Sequence, residues 1–311
     1  MSYSDREYSS INKNSFQDLE SSSFEKENFS IDLTGISSKK LSDIWNETLK
    51  SDMHGICFSL YKEDQKPGDI ISKEQVNSRI EILKPYIKWI RSFSCTDGNE
   101  HIPVIAHKNG IKTLVGAWLG KDLELNEKEI ESLISLAKQG YVDIAAVGNE
   151  VMYRGDLTET QLLGYINRVK EALPNIPVGY VDAYYEFSLR PNITQACDLI
   201  LTNCYPFWEG CPIEHSLNHI KNMYSSAQKA GNGKRVIITE TGWPSQGGSH
   251  KGAIASNENA MEYFIKTLAW CKQNNIENFY FSSFDESWKV GPEGEVGAYW
   301  GMWDKNEILK F

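Results

Sequence analysis

The feature that most constrains this chain is a regular alternation of short apolar runs with longer amphipathic stretches between Met53 and Phe284. The runs are HGICFSL (54–60), YIKWIRSF (86–93), KTLVGAWL (112–119), VDIAAVGN (142–149), PVGYVDA (177–183), DLILTNCY (198–205), KRVIITE (234–240) and ENFYFSSF (277–284). They are nearly unbroken in apolar residues, as strands buried on both faces must be, and too short and β-branched to be helices. Helical stripes fill the gaps. Thr158 and Gln161 form a capping box ahead of Leu162, Leu163, Ile166, Val169 and Leu173. Asn126 and Glu129 are read the same way before Ile130, Leu133, Ile134 and Ala137, as are Ser72 and Gln75 before Val76, Ile80 and Leu83. Met261, Phe264, Ile265 and Leu268 make a further stripe.

Repeated strand–helix units of this kind predict an α/β protein with a closed parallel barrel, the (β/α)8 TIM barrel. The alternative, an open doubly wound sheet, usually carries a Gly-rich phosphate loop, and none is present. Gly231-Asn232-Gly233 is an isolated turn. A length of 311 residues suits one such barrel. Residues 36–311 are therefore read as a single barrel domain, and the polar, Ser-rich residues 1–35 as a flexible tail. The eighth unit lacks a full helix, because the chain ends soon after Phe284, and segment 39–50 is the candidate to cover that region.

A formal charge of -10 excludes more partners than it selects. Phosphate backbones and anionic membranes are repelled, whereas a neutral polymer is not. No run approaches the roughly 20 apolar residues of a membrane span. The first residues, MSYSDREYSSINKNSFQDLE, lack the apolar core of a signal peptide. Location stays open at this point: secreted or periplasmic if a leader was removed, otherwise cytoplasmic. Cys57, Cys95, Cys197, Cys204, Cys211 and Cys271 form no CxxC pair, so they are read as buried free thiols rather than disulfides or a zinc site. The histidines lack ligand spacing, except that His215 and His219 stand four apart; no metal and no cofactor are expected.

Chemistry in a barrel sits at the C-terminal ends of its strands. The fourth run ends in Gly148-Asn149-Glu150 and the seventh in Thr239-Glu240-Thr241-Gly242-Trp243-Pro244. Two glutamates thus emerge at one rim from strands on opposite sides of the mouth. A retaining glycosidase needs such a pair, about 5–5.5 Å apart: one carboxyl attacks the anomeric carbon, the other moves the proton.

These motifs carry a resemblance. GNE after the fourth strand, ITETGWPS after the seventh and FDESWK after the eighth resemble glycoside hydrolase family 17, the β-1,3-glucanases and glucanosyltransferases. HGICFSLYKEDQKPGD, TNCYPFW and EVGAYWGMWD extend the likeness over most of residues 53–304. The resemblance implies a retaining mechanism, with Glu150 as acid/base and Glu240 as nucleophile. It implies that Glu286 and Lys289 form an auxiliary pair at the sugar-binding floor. It places Asn149 where an amide binds the sugar 2-hydroxyl, and Tyr205 as a hydroxyl beside the nucleophile.

Trp208, Trp243, Trp288 and Trp300 follow strand ends or lie in the last loop and are candidates for stacking on glucose rings. Of these, Trp243-Pro244 is read first as the turn that aims Glu240, and Trp208 as the better stacking surface. Arg91 either binds a substrate hydroxyl or supports Glu150, and the supporting role is favoured. Phe58 stands where many relatives carry Tyr, and His54 has no obvious partner. The fifth and sixth runs lie close together, which predicts a more open or truncated cleft. Asn192-Ile193-Thr194 is a glycosylation sequon. The expected activity is hydrolysis of laminarin-type β-1,3-glucan. The alternatives are glucan transfer by the same residues and, third, a non-catalytic glucan-binding protein. The expected partner is a β-glucan bound by a monomer, with no nucleic acid and no membrane insertion.

Overall fold

A computed structural model describes residues 31–51 and 53–311. Eight parallel strands close into a barrel in sequence order: β1 (Met53–Cys57), β2 (Ile87–Ser92), β3 (Lys112–Ala117), β4 (Ile144–Asn149), β5 (Val178–Ala183), β6 (Ile200–Asn203), β7 (Val236–Thr241) and β8 (Asn278–Tyr280). The ring shuts where Gly55 pairs with Phe279 and Ile56 with Tyr280. Each strand lies inside one of the apolar runs or within a residue of it. The runs overshoot because apolar residues continue into the loops at the barrel mouth.

Helices α1 (Ser38–Lys50), α2 (Lys73–Leu83), α3 (His101–Lys108), α4 (Leu123–Lys138), α5 (Val151–Arg154), α6 (Glu159–Ala172), α7 (Glu186–Leu189), α8 (Pro191–Ala196), α9 (Ile213–Gly231), α10 (Asn257–Gln273) and α11 (Val290–Glu293) connect and surround the strands. The α6 capping box forms as read, with the Thr158 side chain accepting from Gln161 N and the Gln161 side chain reaching back. Half of the second box forms. Ser72 caps α2, but the Gln75 amide turns instead to Leu60 O and Gln65.

The third expected box does not exist. Helix α4 begins at Leu123 and its cap is Asp122, so Asn126 and Glu129 fall inside the helix and are buried. Each has other work. The Asn126 side chain holds both Gly120 N and Gly120 O at 2.8 Å. Glu129 accepts from Ser94 Oγ, Cys95 N, Thr96 Oγ1 and Trp118 N, and so ties the loops after β2 and β3 together.

Segment 39–50 fills the place of the missing eighth helix. Helix α1 packs on α10 and β1, with the Trp45 ring against Phe264 and Phe311. The proposed tail lies mostly outside the described residues; of the remainder, Ile31 and Leu33 pack against the core. His54 stacks on Trp89 and meets Glu277 at 3.9 Å, and burial pulls its pKa down to about 4. All six cysteines are buried and free. Burial pushes the Cys57 and Cys204 thiols up to about 12. Among the described residues no helix is long and apolar enough to cross a membrane.

Candidate active site

Glu150 directly follows β4 and Glu240 is the penultimate residue of β7, and both side chains point into the same mouth of the barrel. Local backbone irregularities aim them. The β4–β5 register shifts between Ala146 and Asn149, and the β6–β7 register shifts between Thr202 and Asn203. A bulge of this kind re-aims side chains where a regular strand would not. Glu150 itself adopts left-handed backbone (φ 52, ψ 30), a conformation that costs a non-glycine residue about 1 kcal/mol or more and clusters at functional sites. At the other carboxylate, Gly242 passes so close to Phe281 O that any side chain would collide with it, which explains the glycine of the TGWP turn.

Asn203 links the two acids. Its Nδ2 lies 2.9 Å from Glu150 Oε1 and 2.9 Å from Glu240 Oε1, while its Oδ1 accepts from Thr239 Oγ1. The two carboxylate oxygens therefore stand no further apart than twice 2.9 Å. That bound sits on the retaining side of the about 5.5 Å versus 6.5 Å and more that divides the two stereochemical classes.

Glu240 has two further partners. Arg91 Nη1 meets its Oε1 at 2.7 Å and the Tyr205 hydroxyl donates to its Oε2 at 2.8 Å. Arg91 also donates from Nη2 to Asn149 Oδ1 at 2.7 Å. The supporting role expected for Arg91 falls on the other carboxylate: its side chain is 2% exposed and pairs with Glu240 rather than Glu150. The reason is steric: Cys57, Thr239 O and the Phe93 ring wall it inside the barrel beneath the nucleophile position.

Glu286 and Lys289 pair at 2.7 Å, and Glu286 also accepts from Tyr61 N. Burial works most strongly against the Lys289 charge, but Glu286, Glu293 and Glu240 together outweigh it and raise the pKa above its ordinary value. Lys289 Nζ lies 4.2 Å above the Phe281 ring. Nearby, half-buried Glu293 at the end of α11 was not singled out from the sequence. Burial pushes its carboxyl up to about 7; Lys289 opposes the shift and the charge of Glu240 adds to it.

The tryptophans divide. Trp208 is half-buried and lines a depression beside Glu150, with Tyr153, Tyr184, Tyr185, Asn203, Tyr205 and Glu209. Trp288 is half-buried, edge-on to Tyr61. Trp243 and Trp300, expected among the stacking candidates, are each 2% exposed, and in this structure their ring faces are covered by protein. Trp243 Nε1 donates to Ile254 O and its ring packs on Phe207 and Tyr263. Trp300 lies among Tyr205, Phe207, Trp208 and Phe281, as a wall behind Tyr205. Asn203 was missed because Asn in TNCY reads locally as a strand-end turn residue; a signal lay in its place at the C-terminal end of β6.

This geometry can be set beside known proteins. Residues 55–301 match the BtgE/BtgC glycoside hydrolase domain. The chain belongs to that family. A glucan 1,3-beta-glucosidase of Arthroderma benhamiae is 30% identical over 256 residues, covering 74% of this chain and 81% of the relative. The crystal structure of a glycoside hydrolase family 17 beta-1,3-glucanosyltransferase from Rhizomucor miehei superposes with a TM-score of 0.74 at 30% identity, over 83% of this chain and 95% of that one. An endo-laminarinase from Formosa, at 18% identity and a TM-score of 0.71, shares the fold. The BtgE/BtgC domain thus carries the family 17 membership that its GNE and TETGWPS motifs imply.

Proposed function

We propose that this BtgE/BtgC domain cleaves β-1,3-glucan with retention of configuration, Glu240 acting as nucleophile and Glu150 as acid/base. The observation that carries the reading is Asn203 Nδ2 at 2.9 Å from both carboxylates. In the first step a Glu240 oxygen attacks the anomeric carbon. The bond to the glycosidic oxygen breaks, and that oxygen leaves with the Glu150 proton. In the second step the Glu150 carboxylate takes a proton from water, whose oxygen displaces Glu240 and restores the original configuration.

The neighbours around Glu240 suit a nucleophile. Arg91 and Tyr205 hold both of its oxygens, so it is oriented by fixed donors. Asn149 is fixed by Arg91 with its amide nitrogen left to face a sugar hydroxyl. Glu286 and Lys289 supply a fixed charge pair at the floor. No metal or cofactor enters either step.

Transfer is the second reading, and the aromatic depression beside Glu150 favours it. Tyr184, Tyr185 and Trp208 offer flat faces where an acceptor sugar can displace the leaving group and present its hydroxyl in place of water. The two outcomes share every catalytic group. A glucan-binding protein without turnover would need no such pair of linked carboxylates.

NMR of the first products from laminari-oligosaccharides tests the proposal. Newly released β-anomer supports it, and α-anomer overturns the retaining mechanism. Products longer than the starting oligosaccharide at high concentration assign transfer.

A further inference from the structure

Behind Glu150, away from the cleft, lies a pair of buried residues that neither step uses. Tyr180 and Asp182 share one face of β5, two residues apart. That face turns outward from the barrel interior: Tyr180 packs with Phe187 in the layer between strands and helices. The Tyr180 hydroxyl and Asp182 Oδ2 are in direct hydrogen-bond contact. Both are aimed at the turn that follows Glu150. Met152 N donates to the Tyr180 hydroxyl at 2.8 Å, and Tyr153 N reaches Asp182 Oδ2 at 3.4 Å.

The turn needs such partners. Helix α5 has four residues, its first N–H groups have no acceptor within the helix, and Glu150 at its cap position makes no side-chain cap bond. Glu150 also sits in left-handed backbone, which relaxes unless surrounding contacts hold it. Its own N–H is tied to Val181 O at 2.7 Å, and Val181 stands between Tyr180 and Asp182 on the same strand. One strand thus grips the backbone at Glu150, Met152 and Tyr153, just after the β4 bulge.

We propose that Tyr180 and Asp182 form a positioning clamp that holds the strained Glu150 turn in the geometry needed for proton donation. Burial first, and the Glu150 charge second, push the Asp182 carboxyl well above its ordinary range, so its protonated form is favoured. Burial likewise keeps Tyr180 a hydroxyl. The raised carboxyl lessens the negative charge set behind the acid.

The inference rests on the acid/base reading of Glu150, and the test separates the two. A glucan linkage needs proton donation to its leaving oxygen, whereas a dinitrophenyl leaving group does not. For Tyr180→Phe, kcat/KM on laminari-oligosaccharides should fall at least about 10-fold, while kcat/KM on a 2,4-dinitrophenyl β-laminaribioside should stay within about 3-fold. Asp182→Asn should show the same selectivity, weaker than Asp182→Ala, because its carbonyl can still accept from Tyr180. A merely structural role would lower both substrates alike through the folded fraction. Equal losses on the two substrates, or no loss on the oligosaccharide, overturn the clamp. Glu150→Gln is the control. If it is also unselective, the acid assignment fails; if it is selective and the clamp variants are not, the clamp alone fails.

Discussion

Arg91 Nη1 lies 2.7 Å from Glu240 Oε1, in a pair whose cation is 2% exposed and whose carboxylate is 8% exposed. A buried ion pair adds little stability compared with apolar residues, but breaking one strands a charge at a cost of about 3–5 kcal/mol. Arg91→Met therefore leaves Glu240 with Asn203 and Tyr205 alone. Activity should drop by at least about 100-fold and the melting temperature should fall. Arg91→Lys should not restore activity, since one ammonium cannot span Glu240 and Asn149 together. Steady-state kinetics and thermal unfolding check both; wild-type-like turnover in Arg91→Met would show the pair to be dispensable.

The two glutamates are distinguished by rescue with azide. Glu240→Ala should lose turnover yet still bind laminari-oligosaccharides by calorimetry. With an activated aryl glycoside, azide should enter the vacated nucleophile side and give the α-glycosyl azide. Glu150→Ala should form the covalent intermediate and then give the β-glycosyl azide, since retention follows from two inversions. The reverse pattern would swap the assigned roles.

Asn203 predicts a shared loss. Asn203→Ala removes the amide that meets both carboxylates and leaves Thr239 Oγ1 without its acceptor. A lost hydrogen bond to a charged group is worth about 1.5–3 kcal/mol, so kcat/KM should fall by roughly 10- to 150-fold. Both activated and natural substrates should be affected, because the nucleophile is disturbed as well as the acid. A loss confined to natural substrates would place the effect on Glu150 only.

Glu293 sets a pH dependence. Its carboxyl titrates near 4.5 in an unfolded chain and at about 7 here, chiefly because of burial. Between those values the folded state binds more protons than the unfolded state, so stability falls as pH rises through the interval. The penalty is absent below 4.5 and full above 7. Glu293→Gln should leave the melting temperature nearly unchanged at pH 4 and raise stability by about 1–3 kcal/mol at pH 8. Lys289 keeps its partner Glu286 in that variant. Equal shifts at both pH values would show that the carboxyl is not held protonated by the fold.

The barrel and the two rim glutamates were legible because each is a local property. Burial on both faces writes itself into unbroken apolar runs such as IAAVGN, and a residue at the end of such a run sits at the mouth whatever its neighbours are. The capping box of Thr158 and Gln161 is local in the same sense. Asn126 and Glu129 show the limit. The same spacing occurs inside α4, because the true cap, Asp122, lies further upstream.

What the sequence by itself determined is the ring of strands, the strand ends at the rim and the presence there of Glu150, Glu240 and the Glu286–Lys289 motif. Tertiary structure alone decided which groups meet. Asn203 pairs with Glu240 across a register shift, and a slip of one residue would turn its side chain to the other face. Arg91 reaches Glu240 across the barrel interior, Trp243 and Trp300 are enclosed by neighbours distant in the chain, and Tyr180 with Asp182 faces a turn on another strand. Side-chain direction at a bulge depends on strand pairing and packing between distant segments, and no local pattern of residues encodes it.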